Sequence, residues 1–93
     1  MHVRFKTFGP LRRVIGEREV ILEVSDASTI QDVIDTIVGK WGIDAEKLIL
    51  DEGTFSGNLI IMLNMKDIST LNGLNTIIHP DDEIILLPHV QGG

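Results

Sequence analysis

The side chains of this 93-residue chain do not combine into a familiar catalytic set. Cysteine is absent, which excludes disulfides, cysteine-ligated metals and a thiol nucleophile. His2, His79 and His89 are scattered, so no pair has the i, i+4 spacing of a helical metal site. No serine stands with a histidine in a motif typical of a catalytic triad, and the sequence has no glycine-rich phosphate-binding motif. We therefore expect the chain itself to bind no metal and no cofactor.

The densest group of acids is Asp81-Asp82-Glu83, which could in principle act in acid–base chemistry or bind a cation. It follows Pro80, and proline at the second position is typical of a type I turn. Acidic residues are common in turns because their carboxylates accept hydrogen bonds from the nearby backbone. We therefore predict a structural role in a turn for these three residues.

The remaining candidate is the α-carboxylate of Gly93, which follows Gly92. A carboxylate becomes a good electrophile once its oxygen is converted to a leaving group, for example in an acyl-adenylate. Because the chain has no nucleotide-binding motif, a partner would supply the ATP and the activating machinery. Gly92, which lacks a side chain, would let the tail enter a narrow pocket of that partner. The alternative is an ordinary frayed end, where small residues are also common.

The formal net charge of −6 argues against nucleic acid and anionic membranes as partners. Five of the eight basic residues lie within the first eighteen positions, so the rest of the chain is strongly acidic. This asymmetry fits either a solvated surface or an acidic face that docks on a basic partner. The N-terminus lacks the apolar core of a signal peptide, and no stretch reaches the roughly 18 apolar residues of a membrane span. We therefore expect a cytoplasmic protein.

The first part of the chain predicts two strands. Residues 3–8 and 19–24 alternate apolar and polar side chains, as half-buried strands do, and should form an antiparallel hairpin. Gly9-Pro10 ends the first strand. Residues 11–16 are expected to form a loop that has room for one helical turn and is closed by Gly16.

An amphipathic helix should follow. Ser28 is predicted as its N-cap, with Gln31 three residues later completing a capping box, and Gly42 as the residue just past its end. The spacing of the apolar residues places them on one stripe of the helix. These residues are Ile30, Val33, Ile34, Ile37, Val38 and Trp41.

The second half of the chain is less regular. Residues 43–57 are interpreted as a meandering loop with a helical turn near 45–49. Residues 59–63 and 83–87 should be strands, separated by the connector 65–75 and the turn described above. Together these elements predict an α+β domain.

That domain would cover residues 1–88, with a mixed sheet of four to five strands and one main helix packed on one face. Residues 89–93 would form a flexible C-terminal tail.

The last two predicted strands are apolar at almost every position, although one helix can cover only one face of a sheet. Either the 43–57 segment covers the other face, or an apolar patch is left exposed, which usually marks a protein interface. The alternative is that central strands are simply apolar. The predicted partner-binding residues are Leu59, Ile61, Leu63, Ile85, Leu87, Pro88, His89 and Val90.

Several segments resemble the small subunit of molybdopterin synthase and its relatives. They are residues 8–12, Phe-Gly-Pro-Leu-Arg; residues 58–64, which lead into Lys-Asp-Ile; residues 71–76, Leu-Asn-Gly-Leu-Asn-Thr; residues 79–84, His-Pro-Asp-Asp-Glu-Ile; and residues 87–93, Leu-Pro-His-Val-Gln-Gly-Gly. The order of elements in that family is that of the ubiquitin-like β-grasp fold. The chain departs from the family pattern at Met65 and Asp81, where glycine is usual, and at His89, which replaces a proline.

The resemblance implies a sulfur carrier or ubiquitin-like modifier that is not an enzyme by itself, unless it serves as the small subunit of a sulfurtransferase. An E1-like enzyme would adenylate Gly93, and a sulfur source would convert it to a thiocarboxylate. The sulfur would pass to a molybdopterin precursor on a large subunit, to thiamine or to tRNA. The alternatives are conjugation of Gly93 to protein lysines, and a β-grasp interaction module with an inert tail.

Overall fold

The predicted N-terminal hairpin is present in the computed structural model, which describes residues 1–88. Strand β1 (His2–Lys6) pairs antiparallel with strand β2 (Glu19–Glu23). Val3 lies opposite Leu22 and Phe5 opposite Val20, and all four side chains are buried. The alternating pattern of both strands therefore gives one core face and one solvent face, as predicted.

The connection between these strands is a helix where we expected a loop. Helix α1 (Gly9–Ile15) has a proline in its first turn, where the missing N–H costs nothing. It ends at Gly16, whose φ of 85° and N–H donation to the Arg12 carbonyl are typical of a glycine that terminates a helix. Leu11 is its buried residue and joins the core.

Helix α2 (Ile30–Trp41) confirms the predicted amphipathic helix, and Gly42 ends it with a φ of 73°. The predicted N-cap is wrong by one residue: Thr29 is the cap, and Asp32 completes the box. The Thr29 hydroxyl accepts from the Asp32 N–H at 3.3 Å, and the Thr29 N–H donates to the Asp32 carboxylate at 2.9 Å. Ser28 is instead buried, and its hydroxyl donates to the Ser25 carbonyl.

The segment after α2 is more regular than the predicted meandering loop. Helix α3 (Ile43–Ile49) follows Gly42 directly, and Ala45 and Ile49, one turn apart, are fully buried. Strands β3 (Leu50–Asp51) and β4 (Thr54–Phe55) then form a separate small hairpin. Helix α3 contacts both α1 and α2 and shares their core, so this segment lies on the helical face of the main sheet.

The main sheet has five strands and is mixed, as predicted. Strand β5 (Leu59–Leu63) forms a hairpin with β6 (Lys66–Asp67), and two short 3-10 turns, Ile68–Thr70 and Gly73–Asn75, lead towards β7 (Glu83–Pro88). The strand order is β2-β1-β7-β5-β6, with β1 and β7 parallel and the other pairs antiparallel. No helix within residues 1–88 is long and apolar enough to cross a membrane.

The turn before β7 is not the predicted type I turn. The N–H of Asp82 donates to the carbonyl of His79, so Pro80 and Asp81 are the two central residues. Asp81 has a φ of 67°, and a positive φ at the second central residue is characteristic of a type II turn. Aspartate tolerates this conformation better than most side chains, although glycine is the usual choice.

The β5–β6 hairpin contains a strained residue. Leu63 pairs with Lys66, so the loop consists of Asn64 and Met65 alone, with φ values of 49° and 70°. Two positive φ values define a type I′ turn, in which asparagine followed by glycine is preferred. Met65 has a side chain there, and that side chain is 69% exposed.

We expect Met65→Gly to stabilise the protein. Relief of the left-handed conformation should raise the free energy of unfolding by about 1–2 kcal/mol. The greater backbone entropy of glycine in the unfolded chain should lower it again by about 0.5–1 kcal/mol. The melting temperature, measured by calorimetry, should rise by a few degrees, since about 4–8 °C corresponds to 1 kcal/mol in a domain of this size. Met65→Ala is the matched control, because it removes the exposed side chain but keeps the unfavourable φ. Equal melting temperatures for the glycine and alanine variants would contradict the strain.

Candidate functional site

The candidate site is the C-terminal end of β7 and the sheet surface beside it. Strand β7 lies between β1 and β5, is hydrogen-bonded on both edges, and ends at Pro88. The predicted residues His89, Val90, Gly92 and Gly93 lie outside the described residues. The geometry therefore concerns the surface from which these residues continue.

The two faces of the sheet are separated by the alternation of β5 and β7. Ile61, Leu63, Ile84 and Leu86 belong to the core under the helices. Their neighbours point to the opposite face, which no helix covers in the part of the chain that is described. Ile60 lies across from Leu87, and Met62 across from Ile85. These four residues, Ile60, Met62, Ile85 and Leu87, are called the open-face patch.

The predicted partner-binding residues are divided between the two faces. Ile61 and Leu63 are core residues, 2% and 7% exposed, and Leu59 packs partly against the same core. Ile61 and Leu63 are packed under the helices and so cannot contact a partner, whereas Leu59 is only half-buried. Ile85 and Leu87 lie in the open-face patch, and Pro88 is exposed at the strand end.

The sequence-based assignment missed Ile60 and Met62, the residues that β5 contributes to the open face. No signal within β5 could have identified them, because all five of its residues are apolar. In β7, by contrast, the polar Glu83 fixes which alternate positions face outward, and those are Ile85 and Leu87.

An ionic cluster borders the open-face patch. Glu83, whose side chain is only 14% exposed, lies 3.3 Å from Arg4 and 3.2 Å from Lys6. Arg4 also lies 3.8 Å from Glu19 on β2. Lys6 is the register neighbour of Ile85, which is 7% exposed although it lies on the open face. The patch thus has charged residues on its β1 side, as protein contact surfaces have at their rims.

A second apolar surface lies on the helical side of the same strand end. It is a groove of about 220 Å³ whose walls include Phe8, Pro10, Leu11, Leu48, Leu59 and Pro88. The guanidinium of Arg12 lies 5.3 Å from the centre of the Phe8 ring and donates to the Thr7 carbonyl at 2.8 Å. Pro88, the last described residue, therefore lies beside both this groove and the open-face patch.

The other polar candidates have structural partners. Asp82 accepts hydrogen bonds from the Asn64 amide at 2.9 Å and from the His79 N–H at 2.8 Å, while Glu83 belongs to the ionic cluster. The predicted turn role is thus confirmed for Asp81 and Asp82, whereas Glu83 is the first residue of β7. Within residues 1–88, no three histidine or acidic side chains are grouped closely enough to hold a metal ion.

Comparison with known proteins connects this geometry to a family. A model described as the ThiS family matches residues 5–93. The chain is 25% identical over 93 residues to small archaeal modifier protein 3 of Haloferax volcanii, and the match covers 100% of both chains. It is 28% identical over 78 residues to a protein of Archaeoglobus fulgidus that is named as a proposed sulfur carrier, covering 84% of this chain and 85% of that protein.

A solved structure supports the same assignment. The solution structure of small archaeal modifier protein 1 from Methanosarcina acetivorans superimposes with a TM-score of 0.83 at 31% identity, covering 99% of this chain and 96% of that one. The expected α+β architecture of the ubiquitin-like β-grasp type is thereby confirmed. Because the family model spans nearly the whole sequence, including Gly92-Gly93, this chain belongs to the ThiS family.

Proposed function

We propose that this protein is a sulfur carrier or ubiquitin-like modifier in the cytoplasm, activated at Gly93 by an E1-like enzyme. The observation that carries the proposal is the family match, which runs to Gly93 and so includes the Gly92-Gly93 pair. The match to a small archaeal modifier protein, which covers 100% of both chains, supports the same proposal. The absence of cysteine excludes a thiol on this chain as the sulfur carrier, which leaves its carboxylate.

Activation follows from carboxylate chemistry. A Gly93 oxygen would attack the α-phosphate of ATP on the partner enzyme and release pyrophosphate, which leaves an acyl-adenylate. A sulfide nucleophile would then attack the acyl carbon and expel AMP, so that the product is a thiocarboxylate. Attack by a lysine amine on the activated acyl group would instead form an isopeptide bond.

The open-face patch supports a docking role for the sheet surface that adjoins the tail. Its four apolar residues form two directly opposed cross-strand pairs. Leu87 is one residue from the strand end, so an enzyme bound to the patch would be close to the residues that follow Pro88. Apolar anchors surrounded by charges are typical of surfaces that bind protein partners.

Two outcomes remain for the activated group. Donation of sulfur to a molybdopterin precursor on a large subunit is the first, supported by the family resemblance, with thiamine and tRNA as other acceptors. Conjugation to lysines is the second, and a specific observation favours it. Two relatives, at 25% and 31% identity, are named small archaeal modifier proteins.

Removal of Gly93, or addition of one alanine after it, should abolish activation, because each change moves the carboxylate away from its required place. The measurement is pyrophosphate release with the E1-like enzyme and ATP. Both variants should keep the wild-type melting temperature. If either is activated at the wild-type rate, the proposed reaction at Gly93 is wrong.

The product distinguishes the two outcomes. After incubation with the E1-like enzyme, ATP and sulfide, intact mass spectrometry of a sulfur carrier should show the exchange of one oxygen for one sulfur. A modifier should yield branched peptides on lysines of cellular proteins. A chain that gives neither product, and no pyrophosphate release, would be an inert interaction module.

Placing a charge in the open-face patch should slow activation. We expect Ile60→Lys to lower kcat/KM for pyrophosphate release about tenfold, because loss of an apolar anchor in an interface commonly costs about 1–2 kcal/mol. Ile43→Lys is the matched control, since Ile43 is 59% exposed on α3, on the helical side of the sheet. Equal rates for the two variants, both folded by circular dichroism, would exclude the patch as the docking surface.

A further inference from the structure

Strand β2 is an edge of the main sheet, and one set of its backbone groups points away from β1. The two residues that flank the strand form hydrogen bonds towards β1. The Arg18 carbonyl accepts from the Thr7 N–H, and the Val24 N–H donates to the Met1 carbonyl, both at 2.9 Å. Backbone groups alternate in direction along a strand. The N–H and C=O groups of Glu19, Ile21 and Glu23 therefore point outward from the sheet.

The side chains of these three residues all lie on the open face, because the buried residues Val20 and Leu22 alternate with them. Ile21, at the centre, is 56% exposed. The β2 edge therefore has outward-pointing backbone hydrogen-bonding groups, and on the open face beside them it has the apolar side chain of Ile21 between the carboxylates of Glu19 and Glu23. An added strand would meet this Glu-x-Ile-x-Glu pattern with its own alternate residues.

An acidic cleft continues from the C-terminal end of this edge. It lies between the end of β2 and the first half of α2, has a volume of about 920 Å³, and includes Glu23, Asp26, Asp32 and Asp35 in its walls. The positive group at this cleft within the described residues is the Met1 amine, 3.7 Å from Asp26. Both the edge and the cleft therefore favour a positively charged occupant.

A second copy of the chain does not fit this edge. Two β2 strands paired antiparallel about Ile21 would place Glu19 of each copy opposite Glu23 of the other. Like charges directly across a strand pair are destabilising. The edge is thus protected against self-pairing but open to a strand of opposite charge.

We propose that the β2 edge binds an extended basic segment of a partner protein as a sixth strand of the sheet. In this segment lysine or arginine would lie opposite Glu19 and Glu23, an apolar residue opposite Ile21, and further basic residues would enter the cleft. Backbone hydrogen bonds provide the pairing, and the alternate side chains select the partner. This site is separate from the chemistry at Gly93 and would function whatever the fate of the activated group.

The test is a titration, at low salt, with the capped peptide Lys-Thr-Lys-Thr-Val-Thr-Lys. In antiparallel pairing this peptide places lysine opposite Glu23 and Glu19, valine opposite Ile21, and its first lysine beyond Glu23 towards the cleft. At saturation, amide hydrogen exchange measured by NMR should slow at least about tenfold at Ile21 and Glu23, because their N–H groups become hydrogen-bonded. The amides of Val20 and Leu22, which already face β1, should be unchanged. Methylation of the peptide amides that face β2 should abolish binding, whereas methylation of the alternate amides should not.

Charge variants test whether the acidic residues of the β2 edge determine the affinity for the basic peptide. Glu23→Lys should weaken peptide binding about fivefold or more, because an ion pair becomes a like-charge repulsion. Asp51→Lys makes the same change in net charge on the separate β3–β4 hairpin and should alter binding less than about twofold.

Three results would overturn the proposal. They are binding without slower exchange at Ile21, equal binding by both methylated peptides, and slower exchange at β2 that depends on protein concentration without peptide. The last would indicate pairing between copies of the chain.

Discussion

The parallel pairing of β1 with β7 is the interaction on which the rest of the domain depends. It places the first and last strands side by side at the centre of the sheet, with β2 outside one and β5 outside the other. Ile84 and Leu86 then complete the core to which Val3 and Phe5 contribute. The strand that leads to the candidate reactive end is therefore held on both edges and buried on one face.

All three helices lie on the same side of this sheet, since their buried residues join one core. The other side consequently has to be stable in contact with water although it carries the apolar open-face patch. The ionic cluster places charged groups next to this apolar surface, because Lys6 lies beside Ile85 and is ion-paired with Glu83. Partly exposed ion pairs of this kind contribute little to stability. They border the patch with charges, and charges beside an apolar surface favour some protein partners over others.

Local patterns predicted the parts of the fold that depend on local physics. The stripe of α2 and the alternation of β1 and β2 follow from side-chain periodicity, and both were predicted correctly. The N-cap depends on a non-local contact: a bridge between Thr29 and Ile77 holds Thr29 extended, and the helix begins at the next residue. Helix α3 was predicted only as a helical turn near 45–49, because a glycine joins it to α2 without an intervening loop.

The candidate site was predictable to a similar extent. Residue type and elimination led to the prediction at Gly92-Gly93, which stays a prediction. The face of β5 could not be predicted, because an entirely apolar strand has no alternation to interpret. Its orientation is set by its register with β7, which is a tertiary property. The positive φ of Asp81 could not be predicted from the sequence either, because proline at the second turn position is common in both type I and type II turns.

The central position of β7 also has a consequence for biosynthesis. The ion-paired residues Arg4 and Glu83 are separated by 79 positions, so the middle of the sheet cannot close until nearly the whole domain has left the ribosome. A chain truncated before Glu83 lacks the strand that carries half of the open-face patch and part of the core. An enzyme that bound the finished face, as proposed above, would therefore select against incomplete chains, so that folding itself would act as a check on the length of the polypeptide.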